Sequence, residues 1–167
     1  MNGPDKEKAG YIIGFIVFIC IIPLLMFLLA GRPDPGAGRI LCCVILAAAG
    51  IGLSVWSIVY MKRVGQGNPL DAFDHEIGPR TRRLMTDGPY RICRNPMLLG
   101  VFVFYAGLQI LLLSWRSLLL FIVFILIMLY QVKKEEQRLE RDFGQEYLEY
   151  KKTTGAFLPG FNSFKKD

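Results

Sequence analysis

Two long apolar runs limit what this chain can fold into. Tyr11–Ala30 and Ile40–Met61 each hold about twenty residues without a charge, the length of helix that crosses a hydrocarbon core of roughly 30 Å. Two further apolar stretches follow, Met97–Ser114 with about eighteen residues and Leu118–Val132 with about fifteen, roughly 22 Å of helix and short for a span. Only Trp115-Arg116-Ser117 separates them, so the spacing predicts a tight helical hairpin. The expectation is an all-α, polytopic membrane protein of 167 residues in a single domain. It has about four transmembrane helices (11–30, 40–61, 97–114 and 118–132), a polar loop over 62–96 and a polar C-terminal tail over 133–167 that includes a helix.

Charge sets the expected orientation. Of the 20 Lys and Arg residues, all but Arg32, Arg39 and Arg116 precede the first span, lie between the second and third, or follow the fourth. By the positive-inside rule both termini and the long middle loop face the cytoplasm. The net charge of +6 is then a topology signal and an attraction to anionic headgroups, not a nucleic-acid signal. The first run is too long for the apolar core of a cleaved signal, and no small-residue cleavage site follows it. Cys20, Cys42 and Cys43 lie in spans and Cys93 in the loop, with no metal or redox spacing among them.

Within the second span Ala47, Gly50, Ser54 and Ser57 recur at steps of three and four, a seam of small residues suited to close helix approach in lipid. Pro23 is expected to kink the first span. The stretch from Val64 to Cys93 carries glycine and proline too often for a long helix. Gly65-Gln66-Gly67 lacks the preceding strand of a phosphate loop. Asp71, Asp74, His75 and Glu76, with the chain's one histidine, read as solvated surface rather than a metal site, so no metal is expected.

Two places carry possible chemistry. After the fourth apolar stretch Val132, Glu136, Leu139, Phe143, Tyr147 and Tyr150 continue at helical spacing, with a break or bend expected at Gly144. Glu136 is a carboxylate on an otherwise apolar face, beside Glu135. It needs a cationic or hydrogen-bonding partner, either Arg91 or Arg94 in an ion pair or a ligand these groups surround. The other place is Arg94-Asn95-Pro96, with Asn95 as the expected N-cap and proline in the first turn of the third span. Free N–H groups at such a helix start suit a carboxylate. Gly100 and Gly107, two turns apart, permit close approach of a helix or a ligand.

The order Gly67-Asn68-Pro69, Thr86-Asp87-Gly88-Pro89-Tyr90-Arg91, Arg94-Asn95-Pro96-Met97-Leu98-Leu99-Gly100, Glu135-Glu136 and Phe143-Gly144-x-x-Tyr147-x-x-Tyr150 resembles the isoprenylcysteine carboxyl methyltransferase and phospholipid methyltransferase superfamily. The resemblance covers over half the chain, from about Gly65 to Pro159. It implies an integral membrane methyltransferase that uses S-adenosylmethionine, with a cofactor site at Arg94, Asn95, Pro96, Gly100, Glu135 and Glu136, adjoined by Gly88, Pro89 and Tyr90. Arg94 and Glu136 are then the candidate catalytic pair. One departure is Leu98, where the family usually has tyrosine.

The implied acceptor is lipid-like and resident in the membrane. A carboxylate acceptor needs no base, whereas an amine must lose a proton. No tunable base stands out, which favours the carboxylate. A phospholipid-amine N-methyltransferase is the alternative enzyme, and a non-catalytic membrane scaffold that keeps the fold is the alternative of another class.

Overall fold

The computed structural model describes residues 12–65 and 83–158. The candidate metal cluster at 71–76, the Gly67-Asn68-Pro69 part of the motif, Lys6, Lys8 and the tail beyond Leu158 lie outside the described residues.

Six helices make up the described chain: α1 (Ile12–Ala30), α2 (Ala37–Gly65), α3 (Pro89–Ile92), α4 (Pro96–Leu112), α5 (Trp115–Phe143) and α6 (Gln145–Thr153). Of these, α1, α2 and α5 are long and apolar enough to cross a membrane, and α4 is a shorter apolar helix. The expectation of an all-helical, polytopic membrane protein holds. The lengths of the last two helices differ from it.

The stretch over 118–132, expected to be short, belongs to a continuous helix of 29 residues, about 43 Å long at 1.5 Å per residue. The apolar count stops at Lys133, but the residues that follow are mostly Lys, Glu, Gln, Arg and Leu, all good helix formers. The helix therefore runs on into water, about ten residues beyond the apolar part. Its partner α4 is the short one, 17 residues and roughly 25 Å.

The hairpin also turns earlier than predicted. Leu113 adopts a left-handed conformation at φ 43°, and Trp115 already begins α5. Gln109 and Ser117 lock this turn: Gln109 Nε2 donates to the Ser114 carbonyl at 2.9 Å, and Ser117 Oγ donates to Gln109 Oε1 at 2.7 Å.

The small-residue seam of α2 packs along α4. A Cβ placed on Gly50 would sit 2.7 Å from the Phe104 backbone nitrogen and clash with the Gly100 carbonyl. Ser54 Oγ donates to the Met97 carbonyl at 2.9 Å, joining the same two helices. Gly107 lies against Leu46 and Cys43 farther along. Helix α1 packs mainly on α5, and Met26, Tyr105, Leu112, Phe121 and Phe124 form a buried core near the hairpin end. Large apolar side chains on the outer faces, such as Phe27, Leu28, Leu119 and Val123, stay exposed, as suits helices that meet lipid.

Pro23 acts on α1 as a register change. The residues just before it, Ile16–Ile21, form a π-helical stretch, in which the hydrogen-bond register lengthens by one residue.

Candidate active site

The start of α4 and the far part of α5 lie together at the end of the bundle opposite the Leu113–Ser114 turn. Gly88 begins this region with φ 60°, and a Cβ there would meet the Tyr60 ring at 2.6 Å, so only glycine fits under that ring. Pro89 follows, fully buried, and opens α3. Tyr150 Oη donates to the Tyr90 carbonyl at 2.6 Å, tying α3 to α6. The chain then leaves α3 in an extended conformation at the buried Cys93 and reaches Arg94.

Here a strap formed by residues 154–156 crosses over. The backbone N–H groups of Arg94 and Asn95 donate to the Gly155 and Ala156 carbonyls at 2.9 and 3.1 Å. Asn95 occupies the N-cap position of α4, but its side chain does not cap; Nδ2 donates to the Ala156 carbonyl at 3.1 Å instead. The first turn of α4 is thus without a side-chain cap, and it begins with a proline that has no N–H to satisfy.

Of the two arginines offered by the sequence, Arg94 is the partner of Glu136. Its Nε and Nη2 donate to Glu136 Oε1 at 3.0 and 2.6 Å. Its Nη1 donates to the Thr154 and Lys151 carbonyls at 2.5 and 3.3 Å. Four of the five guanidinium N–H bonds are then used within the protein. The pair is largely buried, with side chains 10% and 16% exposed. The second carboxylate oxygen of Glu136 lies 3.4 Å from Lys151 Nζ, which also holds Glu140 at 2.6 Å. Glu135 pairs with Arg138 one turn along α5.

These groups form one end of a cavity of about 720 Å³, inside the roughly 300–1,000 Å³ typical of ligand pockets. Tyr90, Arg94, Asn95, Pro96, Gly100, Glu135 and Glu136 all line it, and Leu98 stands among them. Gly88 and Pro89 do not line it; they shape the turn behind it. The remaining walls are mostly apolar and come from α1, α2, α4 and α5, including Phe15, Ile51, Val55, Phe104 and Met128. Gln131, Arg138, Tyr147 and Tyr150 also line the cavity, although the sequence reading did not single them out as site residues. Gln131 and Arg138 stand four residues before and three after Glu135, so helical spacing alone could have found them.

Burial governs the titration of this end. It pushes the Tyr90, Tyr147 and Tyr150 phenols well above their ordinary value, with the Glu136 carboxylate adding to the rise at Tyr147. It also pushes the Cys93 thiol up, keeping it protonated and inert. Lys151 moves up because Glu140 accepts its hydrogen bond. Near neutrality these three phenols are neutral. Among the described residues no cluster of three or more His, Cys, Asp or Glu has the arrangement of a metal site.

Comparison with known proteins agrees with the motif. The chain is 38% identical over 105 residues to a protein of Saccharomyces cerevisiae named Protein-S-isoprenylcysteine O-methyltransferase, covering 60% of this chain and 44% of that protein. It is 31% identical over 91 residues to the Nickel-cobalt-cadmium resistance protein NccN of Alcaligenes xylosoxydans xylosoxydans, covering 54% of this chain and 42% of that one. The chain thus spans less than half the length of these two relatives. No solved structure matches. The pattern of one family runs through α2, the Arg94 turn, α4 and the Glu135-Glu136 pair: from residue 39 to residue 146 the chain matches it, and this integral membrane protein belongs to the phospholipid methyltransferase family.

Proposed function

We propose that the protein transfers a methyl group from S-adenosylmethionine to a lipid-like acceptor resident in the membrane, with a carboxylate as the favoured acceptor. The carrying observation is the two-ended cavity. One end gathers Arg94, Asn95, Glu135, Glu136 and Arg138, and the opposite walls are apolar faces of membrane helices.

The donor set fits the cofactor. Glu135 and Glu136 suit its ammonium and ribose hydroxyls, and the uncapped start of α4 suits its carboxylate. When bound, S-adenosylmethionine supplies an activated methyl group for in-line displacement. The chain's own part is alignment and exclusion of water. Arg94 holds Glu136 in one orientation through two N–H bonds to a single oxygen. Gly100 lets α2 approach α4 closely beside the cavity. Arg138 and Lys151 leave the acidic pair electrically balanced.

Among the described residues that line the cavity no tunable base stands out, which favours a carboxylate acceptor. The three buried tyrosines hold their protons near neutral pH, so none of them deprotonates an amine. A carboxylate needs only orientation, which a cation of this end provides. The polar extension of α5 beyond its apolar part supports a charged end at the membrane surface, and the distribution of Lys and Arg supports the cytoplasmic side for it.

Calorimetric titration of detergent-purified protein with S-adenosylhomocysteine tests the reading. Saturable micromolar binding, weakened at least tenfold in Glu136→Gln, is expected. Methyl transfer from labelled cofactor to prenylcysteine or to phosphatidylethanolamine then separates the carboxylate acceptor from the amine. A well-folded protein that binds no S-adenosylhomocysteine would refute the function.

A further inference from the structure

The Tyr147 hydroxyl has no role in the fold described so far. The residue is 1% exposed, packed with Leu84 and Tyr150, and it lines the cavity at the end that holds Arg94 and Glu136. Its hydroxyl is buried, and its proton has no acceptor among the described residues. Leaving a buried hydroxyl without an acceptor is costly, and native proteins do so rarely. The contrast with Tyr150, one turn on, is direct: that hydroxyl reaches the Tyr90 carbonyl at 2.6 Å.

The surroundings say what acceptor would fit. Arg94 is near enough to aim its fifth N–H at the Tyr147 oxygen, its other four going to Glu136 and two backbone carbonyls, and since an arginine can only donate, the phenol still lacks an acceptor for its own proton. The same cavity is lined by Met97 and Leu98 in the first turn of α4. Helical N–H groups there point out of the N-terminus with no side-chain cap. A phenol proton and a helix start that line the same cavity can together receive a carboxylate.

We infer that Tyr147 is a ligand-positioning residue whose hydroxyl donates to the amino-acid carboxylate of the bound methyl donor. This rests on the proposed function.

The test compares two ligands in wild-type and Tyr147→Phe protein. S-adenosylhomocysteine carries the carboxylate; 5′-methylthioadenosine keeps the nucleoside and lacks the amino-acid part. Loss of one hydrogen bond to a charged group is expected to weaken S-adenosylhomocysteine binding about tenfold. Affinity for 5′-methylthioadenosine should be unchanged, and the thermal midpoint of the ligand-free variant equal to or above wild type. Equal affinity of both proteins for S-adenosylhomocysteine overturns the assignment. So does an equal loss for both ligands, because the substitution would then have disturbed the pocket or the fold. A wild type that binds 5′-methylthioadenosine but not S-adenosylhomocysteine also overturns it. No binding of either ligand by folded wild type removes the proposed function, and this assignment with it.

Discussion

Tyr105 on α4 donates its hydroxyl to the carbonyl of Phe18 on α1 at 2.6 Å, and the reason lies at Pro23. In the π-helical stretch before that proline each N–H reaches back five residues, and Ile22 N–H bonds the Val17 carbonyl. The next carbonyl in that register, Phe18, calls on residue 23, which has no N–H. Tyr105 fills the gap from a neighbouring helix. Its ring is fully buried against Phe124, with centroids 4.9 Å apart. An imino acid in one span thus fixes the position of another span.

Tyr105→Phe should therefore destabilise the protein by about 1 kcal/mol, since it removes one hydrogen bond and strands a carbonyl in an apolar region. Pro23→Ala supplies an N–H for Phe18, so Tyr105→Phe should cost measurably less in that background. Thermal unfolding in detergent across the double-mutant cycle reads the coupling. Equal cost in both backgrounds would show that the tyrosine does not serve the orphaned carbonyl.

Two glycines of α2 give a matched pair. A Cβ on Gly50 collides with the backbone of α4 at Gly100 and Phe104, while one on Gly52 meets nothing within 4 Å. Gly50→Ala should cost about 1–3 kcal/mol as the helices are forced apart. Gly52→Ala should be neutral or slightly stabilising, because alanine is the better helix former. Thermal midpoints of the two variants decide between a seam that packs and a general intolerance of alanine in this helix.

These contacts show why some of the structure was legible in the sequence. Features with a period could be read: the charge-free runs, the Ala47–Gly50–Ser54 seam, and Glu136 on an apolar stripe that demanded a cation. Features set by distant pairing could not. The choice of Arg94 over Arg91 depends on where α3 ends and on the strap from residues 154–156, some sixty residues away. The same strap draws the Asn95 side chain off its expected capping role. Charge ends the apolar count at Lys133 while helix propensity continues, which is why α5 runs on to Phe143. Gly88 and Pro89 carry the motif as strongly as Arg94 does, yet they shape the turn rather than the cavity wall. The tyrosine at residue 105 was legible in principle, since a proline inside a span implies an orphaned carbonyl.

Arg94 and Glu136 should prove unequal in their structural effect. Glu136→Gln keeps the side-chain shape and an acceptor oxygen for Arg94, so most of the local packing survives. Arg94→Ala removes the bonds to Glu136 and to the Thr154 and Lys151 carbonyls together. It also leaves a largely buried carboxylate with Lys151 as its remaining cation in this cluster. We expect a loss of about 2–4 kcal/mol for Arg94→Ala and less than half of that for Glu136→Gln. Arg94→Lys should rescue little, because one ammonium cannot span three acceptors held by a planar fork. Chemical denaturation, or protease sensitivity of the strap, ranks the three variants. A ranking with Glu136→Gln lowest would show that the arginine does not anchor the strap.

The tyrosine cluster makes the polar end sensitive to alkali. In the unfolded chain the phenols of Tyr90, Tyr147 and Tyr150 ionise near pH 10, whereas burial holds them protonated to higher pH in the folded protein. Above about pH 10 the unfolded state therefore binds fewer protons than the native state, and stability falls as pH rises. The contribution is fully present below that value. Each tyrosine adds a slope of up to about 1.4 kcal/mol per pH unit in this window. Cys93, also raised by burial, starts the decline somewhat earlier, near the ordinary thiol range of about 8–9. Thermal midpoints should stay level from about pH 6 to 8 and drop steeply above about pH 10, with the part of the tyrosinate absorbance that belongs to these three phenols rising together with unfolding. Tyr150→Phe should shallow that drop while lowering the midpoint at neutral pH, since it also breaks the bond to the Tyr90 carbonyl. Tyrosinate absorbance that rises fully near pH 10, while the protein remains folded, would show that these phenols are open to solvent.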